Sequence, residues 1–591
     1  MLDLAGIAPD DALLSGWRAR VDRARRHLGW VASSSLQDGT SVRPSVQNTV
    51  VRLHATGASL AIAAPCDQLF TATEVNEWAL CAALLERDAA HWSALEGALV
   101  SAAMAVEGNP GAAVPPVLEE SAALARFAEL ADLEARPELR TLIDAADARD
   151  LAYVLDETEL TLGTGRGARS YALAELPFVA DVPWSEVSSV PTALVTGSNG
   201  KTTTVRLVAA CARAQGWLPG FNCTDGVFVG GAAVCTGDYA GPAGARLVLR
   251  DSRVDSAVLE TARGGILRRG IAVSRAHAAI VTNVSPDHFG EYGIHDLGGL
   301  ADVKLSVAGA VAAGGLLVLN ADDAQLRSKA GGLAQRFGRC PVIGWFALDA
   351  DAAFLQKHRH DGGMTCGVRD GRLVLCRGTV DRDLGDVATM PLTVGGSARY
   401  NVANLAGAAL VAAVLGIAPE SIARAFSQFG ADPSDNMGRM MRFDVRGVTV
   451  LVDYAHNSEG IRGLLQVARQ MLAAGGRLGM LLGHAGNRQN ADIEEVARIA
   501  TGFRPDLVVV KEDEAHLRGR EPGEIPRIIR AELLRHGLPE SALPVSLSEL
   551  DAVRAALDWA RPGDVLALPV HSAAARSATL DMLSAASRSS R

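Results

Sequence analysis

Aromatic side chains are scarce in this chain, with Phe, Trp and Tyr making up 5% of 591 residues. Any core must therefore rest on Ala, Val and Leu, and apolar residues of all kinds reach 48%, which excludes a disordered chain. Basic charge is not in excess either. The formal net charge is −10, which argues against a general nucleic-acid binder and leaves room only for local basic pockets that take anions. Cys-x-x-Cys spacing is missing; the eight cysteines (66, 81, 211, 223, 235, 340, 366 and 376) are scattered, as expected of thiols in a reducing compartment. Apolar runs such as Ala193 to Val195 and Gly314 to Leu319 are too short to cross a bilayer. Met1-Leu-Asp-Leu-Ala lacks the basic-then-apolar order of a signal peptide, so a soluble, cytoplasmic protein is expected.

What is present is alternation. The length implies roughly three or four domains. Residues 1–184 read as a mixed α+β unit. A basic helix spans Trp17 to Leu28, two strands span Thr49 to Leu53 and Ser59 to Ala63, and Ala-rich helices follow from Ala72 to about Leu130. Thr73 is the expected cap of the first of these helices, with Glu74 and Asn76 in its first turn. A hairpin is expected around Gly163-Thr-Gly-Arg-Gly167, a run that signals a turn and nothing more. Residues 185–436 alternate strand and helix, with strands at Thr192–Val195, Ala257–Leu259, Ala278–Thr282 and Gly315–Leu319. This predicts a P-loop-type parallel sheet of the α/β class. Within it, Cys340 to Val394 breaks the alternation and reads as an antiparallel addition. Residues 437–591 read as a second, Rossmann-like α/β unit with strands at Val448–Val452, Leu478–Leu482, Leu507–Val510 and Val565–Pro569.

The most telling stretch is Val195-Thr-Gly-Ser-Asn-Gly-Lys-Thr-Thr-Thr204, where a strand meets a helix through a glycine turn. Backbone N–H groups and the helix N-terminus face an anion, a lysine reaches the outer phosphates, and a hydroxyl meets Mg²⁺. Gly197 stands only three residues before Gly200, so this is a shortened phosphate loop. Three further elements follow at strand ends or in helices. Glu260 ends an apolar strand and is placed to reach a metal near Thr202; taken alone it is equally a surface glutamate that opens a helix. Thr282-Asn283-Val-Ser-Pro-Asp287-His288 offers an imidazole for a metal, although a lone Asp-His pair is more often structural. Lys304 lies inside the apolar helix Leu300-Ala-Asp-Val-Lys304-Leu, where an ammonium must snorkel or be chemically altered.

Taken together, Thr196-Gly-Ser-Asn-Gly-Lys-Thr-Thr203, Glu260, Asn283/Asp287/His288 and Lys304 resemble, in order, the Mur ligase superfamily. These enzymes join a carboxylate to an amine at the expense of ATP. The resemblance implies that Gly197, Ser198, Asn199, Gly200, Lys201, Thr202 and Thr203 hold nucleotide phosphates, with Asn283 nearby. It further implies that Thr202 and Glu260 hold one Mg²⁺, while His288 and a carbamylated Lys304 hold a second. Asn401 and Asn404 resemble the family's adenine-side asparagines, although Tyr400 replaces its usual histidine. Gly438-Arg439-Met440 and Val452-Asp453-Tyr-Ala-His456-Asn457 resemble the start of the ligase domain, which implies Arg439 on the phosphates and Asp453 and His456 near the ribose. By the same resemblance Lys201, Lys304, His288 and Arg439 are the catalytic set.

From about residue 185 to 591 the text is similar to the Mur-like half of the cyanophycin synthetases. It includes Thr224-Asp-Gly-Val, Gly237-Asp-Tyr-Ala-Gly-Pro-Ala-Gly-Ala-Arg246 and Glu260-Thr-Ala-Arg-Gly-Gly-Ile-Leu-Arg-Arg269. Residues 1–184 do not resemble the ATP-grasp half of those enzymes. Gly486-Asn487-Arg488-Gln-Asn490 carries asparagine where the family element has aspartate, which puts arginine as the amine in doubt. The resemblance implies an ATP-dependent carbon–nitrogen ligase that forms an acyl phosphate and then an amide or isopeptide bond. Expected partners are a small-molecule or peptide-like carboxylate and an amino acid or other amine, with neither nucleic acid nor membrane. Homo-oligomerisation and association with a cyanophycin-type synthetase both stay open. Two alternatives are a catalytically silent ATP-binding partner of such a synthetase and a glutamyl-adding ligase of the folylpolyglutamate type. Arg488, Lys511, Arg518 and Arg520 are candidates to hold an acidic amine substrate, and Glu512, Asp513 and Glu514 a basic one.

Overall fold

A computed structural model of the chain describes residues 2–30, 49–54, 57–87, 119–287, 289–290, 292–486, 488–512 and 516–589. His288 and Asn487, and with them Asp513 and Glu514, lie outside the described residues.

The largest sheet has eleven strands and is built around Thr192–Thr196, whose five residues are all buried. Period-two alternation explains its two-sided packing. Ala193 and Val195 enter one core with Val205, Val208 and Leu405, whereas Leu194 enters another with Leu259, Val281 and Leu300. The helices Lys201–Ala214 and Arg399–Val414 cover the first face, and Pro242–Arg250 and Leu297–Leu305 the second. Pro219–Cys223, Ser256–Glu260, Thr192–Thr196, Ala276–Val281 and Val311–Asn320 run parallel, as the alternation predicts. The segment from 340 to 394 departs from expectation. Its first two strands, Val342–Asp349 and Met364–Arg369, continue the same sheet in parallel, and only Arg372–Arg377 and Val380–Asp386 turn antiparallel. The tight turn at Asp370-Gly371 reverses the chain there, where no helix intervenes.

A six-stranded sheet follows in the order Met441–Val445, Val448–Asp453, Val565–Pro569, Leu478–Leu482, Leu507–Lys511 and Val545–Ser546. All its pairs are parallel except the first.

Ahead of these, Leu2–Ala5, Thr49–His54 and Gly57–Ile62 form a small antiparallel sheet under the helices Asp11–His27, Leu69–Arg87 and Glu120–Glu134. The polar start expected for the second helix is corrected. That helix begins at Leu69, Thr73 donates back to the Leu69 carbonyl, and Asn76 is buried between Trp17 Nε1 and the Leu60 carbonyl at 2.9 and 3.1 Å. The basic helix also turns charge inward, with Arg25 donating to the Ala63 carbonyl and Arg20 paired with Glu86. The expected hairpin gains a third strand, Tyr153–Leu155, beside Glu159–Leu162 and Arg169–Ala172. Arg250 ties this meander to the large sheet by donating to Asp156 Oδ2 at 2.5 Å and Thr161 Oγ1 at 3.0 Å. The glycine run is a packed turn whose amides reach Ser188 and Val254 carbonyls. No helix among the described residues is long and apolar enough to cross a membrane.

Candidate active site

Parallel strands end on the same side, so the loops after them gather at one crevice. The carboxyl ends of both large sheets open onto one cleft of about 1400 Å³. Every described residue expected to hold nucleotide or metal lines it: Gly197 to Thr203, Glu260, Asn283, Lys304, Asn401, Asn404, Arg439, Asp453 and His456.

The phosphate loop is braced from below. Gly200 has φ +82°, and a Cβ there would lie 2.2 Å from Asn404 Oδ1, so no other residue fits this approach. Asn283 uses both ends of its amide on the loop, accepting from Asn199 N at 2.9 Å and donating to the Asn199 carbonyl at 3.2 Å. Thr282 Oγ1 donates to that same carbonyl at 2.6 Å. Asn283 is thus a strut of the loop. Lys201 curls over it and donates to the carbonyls of Gly197 and Ser198, both at 3.1 Å.

Beneath the loop, Thr202 Oγ1 donates to Glu260 Oε2 at 2.8 Å. Glu260 is 1% exposed, and its second oxygen, Oε1, is buried with no hydrogen-bond partner. Burial pushes its carboxyl pKa up, opposed by Lys201, Thr202 and Arg439. A buried anionic oxygen with an empty lone-pair direction, beside a threonine hydroxyl, is a donor set suited to a hard cation. Lys304 is 3% exposed; burial, then the Lys201 and Arg263 cations, hold its amine well below the usual lysine range, against the pull of Asp287. Lowering the pKa in this way enlarges the neutral, nucleophilic fraction of the amine.

The second sheet supplies the opposite wall. Arg439 donates to Thr224 Oγ1 at 3.0 Å and stacks on Tyr454, 4.2 Å from the ring centroid. Asp453 accepts the Met440 amide at 2.7 Å, which anchors the Arg439 segment to its own sheet. His456 Nδ1 lies 3.0 Å from the Tyr454 carbonyl, and burial pulls the imidazole down to about 4, with Arg488 and Lys201 adding to the drop and Asp287 opposing it. The nearby Asn401 spends its amide inside the fold, on the Leu392 carbonyl and on Asn404 Nδ2.

Three residues considered for the amine substrate are committed elsewhere. Lys511 is fully buried in an ion pair with Glu549. Glu512 caps the helix Glu524–Arg535 by accepting Gly523 N with both oxygens at 3.0 Å. Arg520 holds the Gly486 and Arg488 carbonyls. Arg488 pairs with Asp287 at 2.9 Å across the cleft, and Arg518 lines it. Sequence reasoning did not assign roles to Thr224, Asp225, Tyr454, Asn457 or Arg576. The first four sit inside motifs already singled out; Arg576 carries no sequence signal.

Comparison with known proteins accords with this geometry. Residues 195–412 match the Mur ligase middle domain, and residues 438–568 match the Mur ligase glutamate ligase domain. Over 392 residues the chain is 34% identical to a cyanophycin synthetase of Nostoc sp., a match covering 66% of this chain and 42% of that protein. The chain thus spans less than half the length of that relative. It is 27% identical over 384 residues to a UDP-N-acetylmuramoyl-L-alanyl-D-glutamate–2,6-diaminopimelate ligase of Corynebacterium efficiens, covering 63% of this chain and 67% of the relative. The structure of E. coli FolC in complex with DHPP and ADP shares the fold, with a TM-score of 0.50 at 17% identity over 67% of this chain and 89% of that one. Through its middle and C-terminal domains, the chain belongs to the Mur ligase family.

Proposed function

We propose that this chain is an ATP-dependent carbon–nitrogen ligase that activates a carboxylate as an acyl phosphate and couples it to an amine. The observation that carries this reading is the Thr202–Glu260 pair under the phosphate loop, where Glu260, its Oε1 buried without a hydrogen-bond partner, lines the same cleft as Arg439. A site for phosphate and a hard cation, faced by an arginine from a second sheet, suits phosphoryl transfer to a carboxylate.

In this reading Thr202 and Glu260 hold Mg²⁺, and Lys304, as a carbamate, holds a second ion together with His288. When bound, such ions supply neutralisation of phosphate charge. The chain's own residues do the rest. Lys201, freed from the loop carbonyls, turns to the outer phosphates, and Arg439 neutralises negative charge spreading over the transferred group. The loop amides of Gly200 to Thr202 orient the phosphates from below. Asn401 and Asn404 border the nucleotide base, and Asp453 and His456 face the ribose. The neutral state of His456 keeps a further cation out of the site, and the lowered pKa of Lys304 favours the unprotonated amine that carbamate formation from CO₂ requires. No side chain needs to become a covalent nucleophile; positioning carries the rate.

The test is phosphate release from ATP that depends on both a carboxylic acid and an amine, screened over amino acids and aspartyl or glutamyl peptides. Release that needs both substrates supports the ligase. ATP binding without turnover on any pair supports instead a silent nucleotide-binding partner. Adding bicarbonate to the Lys304→Ala variant must restore nothing, whereas small carboxylates supplied in trans should restore part of the rate.

A further inference from the structure

Two arginines from the C-terminal side converge on adjacent residues of one turn in the large sheet. Arg439 donates to Thr224 Oγ1 at 3.0 Å, and Arg576 Nη2 donates to Asp225 Oδ1 at 3.1 Å. The turn joins the strands Pro219–Cys223 and Gly226–Val229, so it is held by the sheet itself. Asp225 is also fixed from its own side, because Arg206 donates to Oδ2 at 2.9 Å from the helix that follows the phosphate loop. Between the two incoming arginines lies Tyr454, with Arg439 4.2 Å and Arg576 5.1 Å from its ring centroid. These groups are largely shielded, the side chains of Arg206, Arg576 and Asp225 being 8%, 13% and 18% exposed.

The hydrogen-bond directions on the Thr224 side are forced. An arginine can only donate, so Thr224 oxygen accepts from Arg439. A carboxylate can only accept, so Thr202 donates to Glu260 at 2.8 Å. The remaining contact, 3.3 Å between the two hydroxyls, is then Thr224 O–H to Thr202 oxygen. With Glu260 ionised, a single directed chain thus runs from the arginine to the buried carboxylate. Gly438 shapes the approach from the other side. Its φ is +70°, and a Cβ would lie 2.4 Å from Arg576 Cδ. The linker residue before Arg439 therefore packs directly on the stem of Arg576.

We infer that Arg576 is a positioning residue. Its guanidinium, one nitrogen donating to Asp225 and the other to the His571 carbonyl, docks the C-terminal side onto the Thr224–Asp225 turn, and through Tyr454 and Gly438 it holds Arg439 in reach of the phosphate site. Thr224 then reports docking to Thr202 and Glu260. Arg576 itself is not among the residues that line the cleft. The consequence for turnover rests on the ligase reading; the docking role does not.

The test reads both. Hydrogen–deuterium exchange of the full chain is followed at 224–226 and 437–441, and turnover is measured where an acid–amine pair is found. Arg576→Ala should raise exchange in these two segments alone and lower kcat about tenfold or more, with the KM for ATP changed less than about threefold. Arg576→Lys should recover only part, since an ammonium keeps the charge but not the fork. Asp225→Asn, which keeps the shape of the turn, should reproduce Arg576→Ala and serves if that variant does not fold. Exchange at 437–441 equal to the parent in both Arg576→Ala and Asp225→Asn overturns the proposal. So does exchange raised uniformly over the C-terminal sheet, which marks a merely structural ion pair. If no substrate pair supports turnover in the parent chain, the ligase reading fails while the exchange result still decides the docking role.

Discussion

In the proposed ligase reading, Lys201 and Glu260 are the residues on which the chemistry of the cleft turns. Lys201 is the cation nearest the loop, and its replacement by alanine should lower amine-dependent phosphate release by about 10²- to 10³-fold, the usual cost of one preorganised charge. Unchanged turnover would remove the loop from the reaction. Glu260 makes a prediction about protons. Burial raises its pKa in the ligand-free chain, and a cation binds only the ionised form. Mg²⁺ affinity should therefore rise with pH, and binding should release protons, detectable by calorimetry in buffers of different ionisation enthalpy. Glu260→Gln should weaken Mg²⁺ binding about tenfold or more and abolish the proton release. His456 shifts the other way from a paired histidine. Burial lowers it from 6.5 to about 4, so the unfolded chain binds the proton more tightly. Its contribution to stability is present above pH 6.5 and is lost as pH falls toward 4. His456→Gln should flatten the urea midpoint over that window; an unchanged pH slope would show that the imidazole does not stay neutral on folding.

At the scale of elements, the loop between Thr192–Thr196 and Lys201–Ala214 depends on a left-handed Gly200 pressed against Asn404. Gly200→Ala adds backbone strain of about 1–3 kcal/mol and must also displace the Asn404 amide. Its urea midpoint should fall, and nucleotide affinity with it. A variant as stable as the parent would mean that the loop relaxes without cost. The strands themselves were readable because buried parallel strands are continuous apolar runs ending in polar residues, as at Glu260 and Asp453. Misreadings arose where local signals competed with packing. Thr73 looks like a cap, but Leu69 and Phe70 already turn helically, with the Phe70 and Thr71 amides taken by Glu134 from another helix. Asn76 looks like a surface residue until Trp17 and Leu60 supply partners for its amide.

At the scale of the whole molecule, the cleft is closed by polar contacts between two sheets. Asn199 of the loop accepts from Asn457 at 2.9 Å, Asp287 pairs with Arg488 at 2.9 Å, and the two arginines reach the Thr224–Asp225 turn. Asp287 and Arg488 side chains are 13% and 6% exposed, so removing one leaves a poorly hydrated charge. Arg488→Met should weaken docking by about 3–5 kcal/mol. Thermal unfolding should then separate into two transitions, whereas a single transition at the parent temperature would show that the pair contributes nothing to closure.

The sequence by itself determined what is local. Gly197 to Thr203, Glu260 and Asp453 stand in short stretches that form a strand end, a glycine turn or a helix start, so the loop, its family and two α/β sheets were legible without coordinates. Only the tertiary structure decided what lies between distant segments. Arg439 meets Thr224 across 215 positions and Arg576 meets Asp225 across 351, and no periodicity or motif encodes such a pairing. The same holds for Lys511, Glu512 and Arg520, which look available in sequence and are consumed by Glu549, a helix N-terminus and two carbonyls. The physical reason is common to all of them. A charge near a cleft is available only if the fold has not already satisfied it, and that is settled by partners brought together through chain closure rather than by neighbours in the chain.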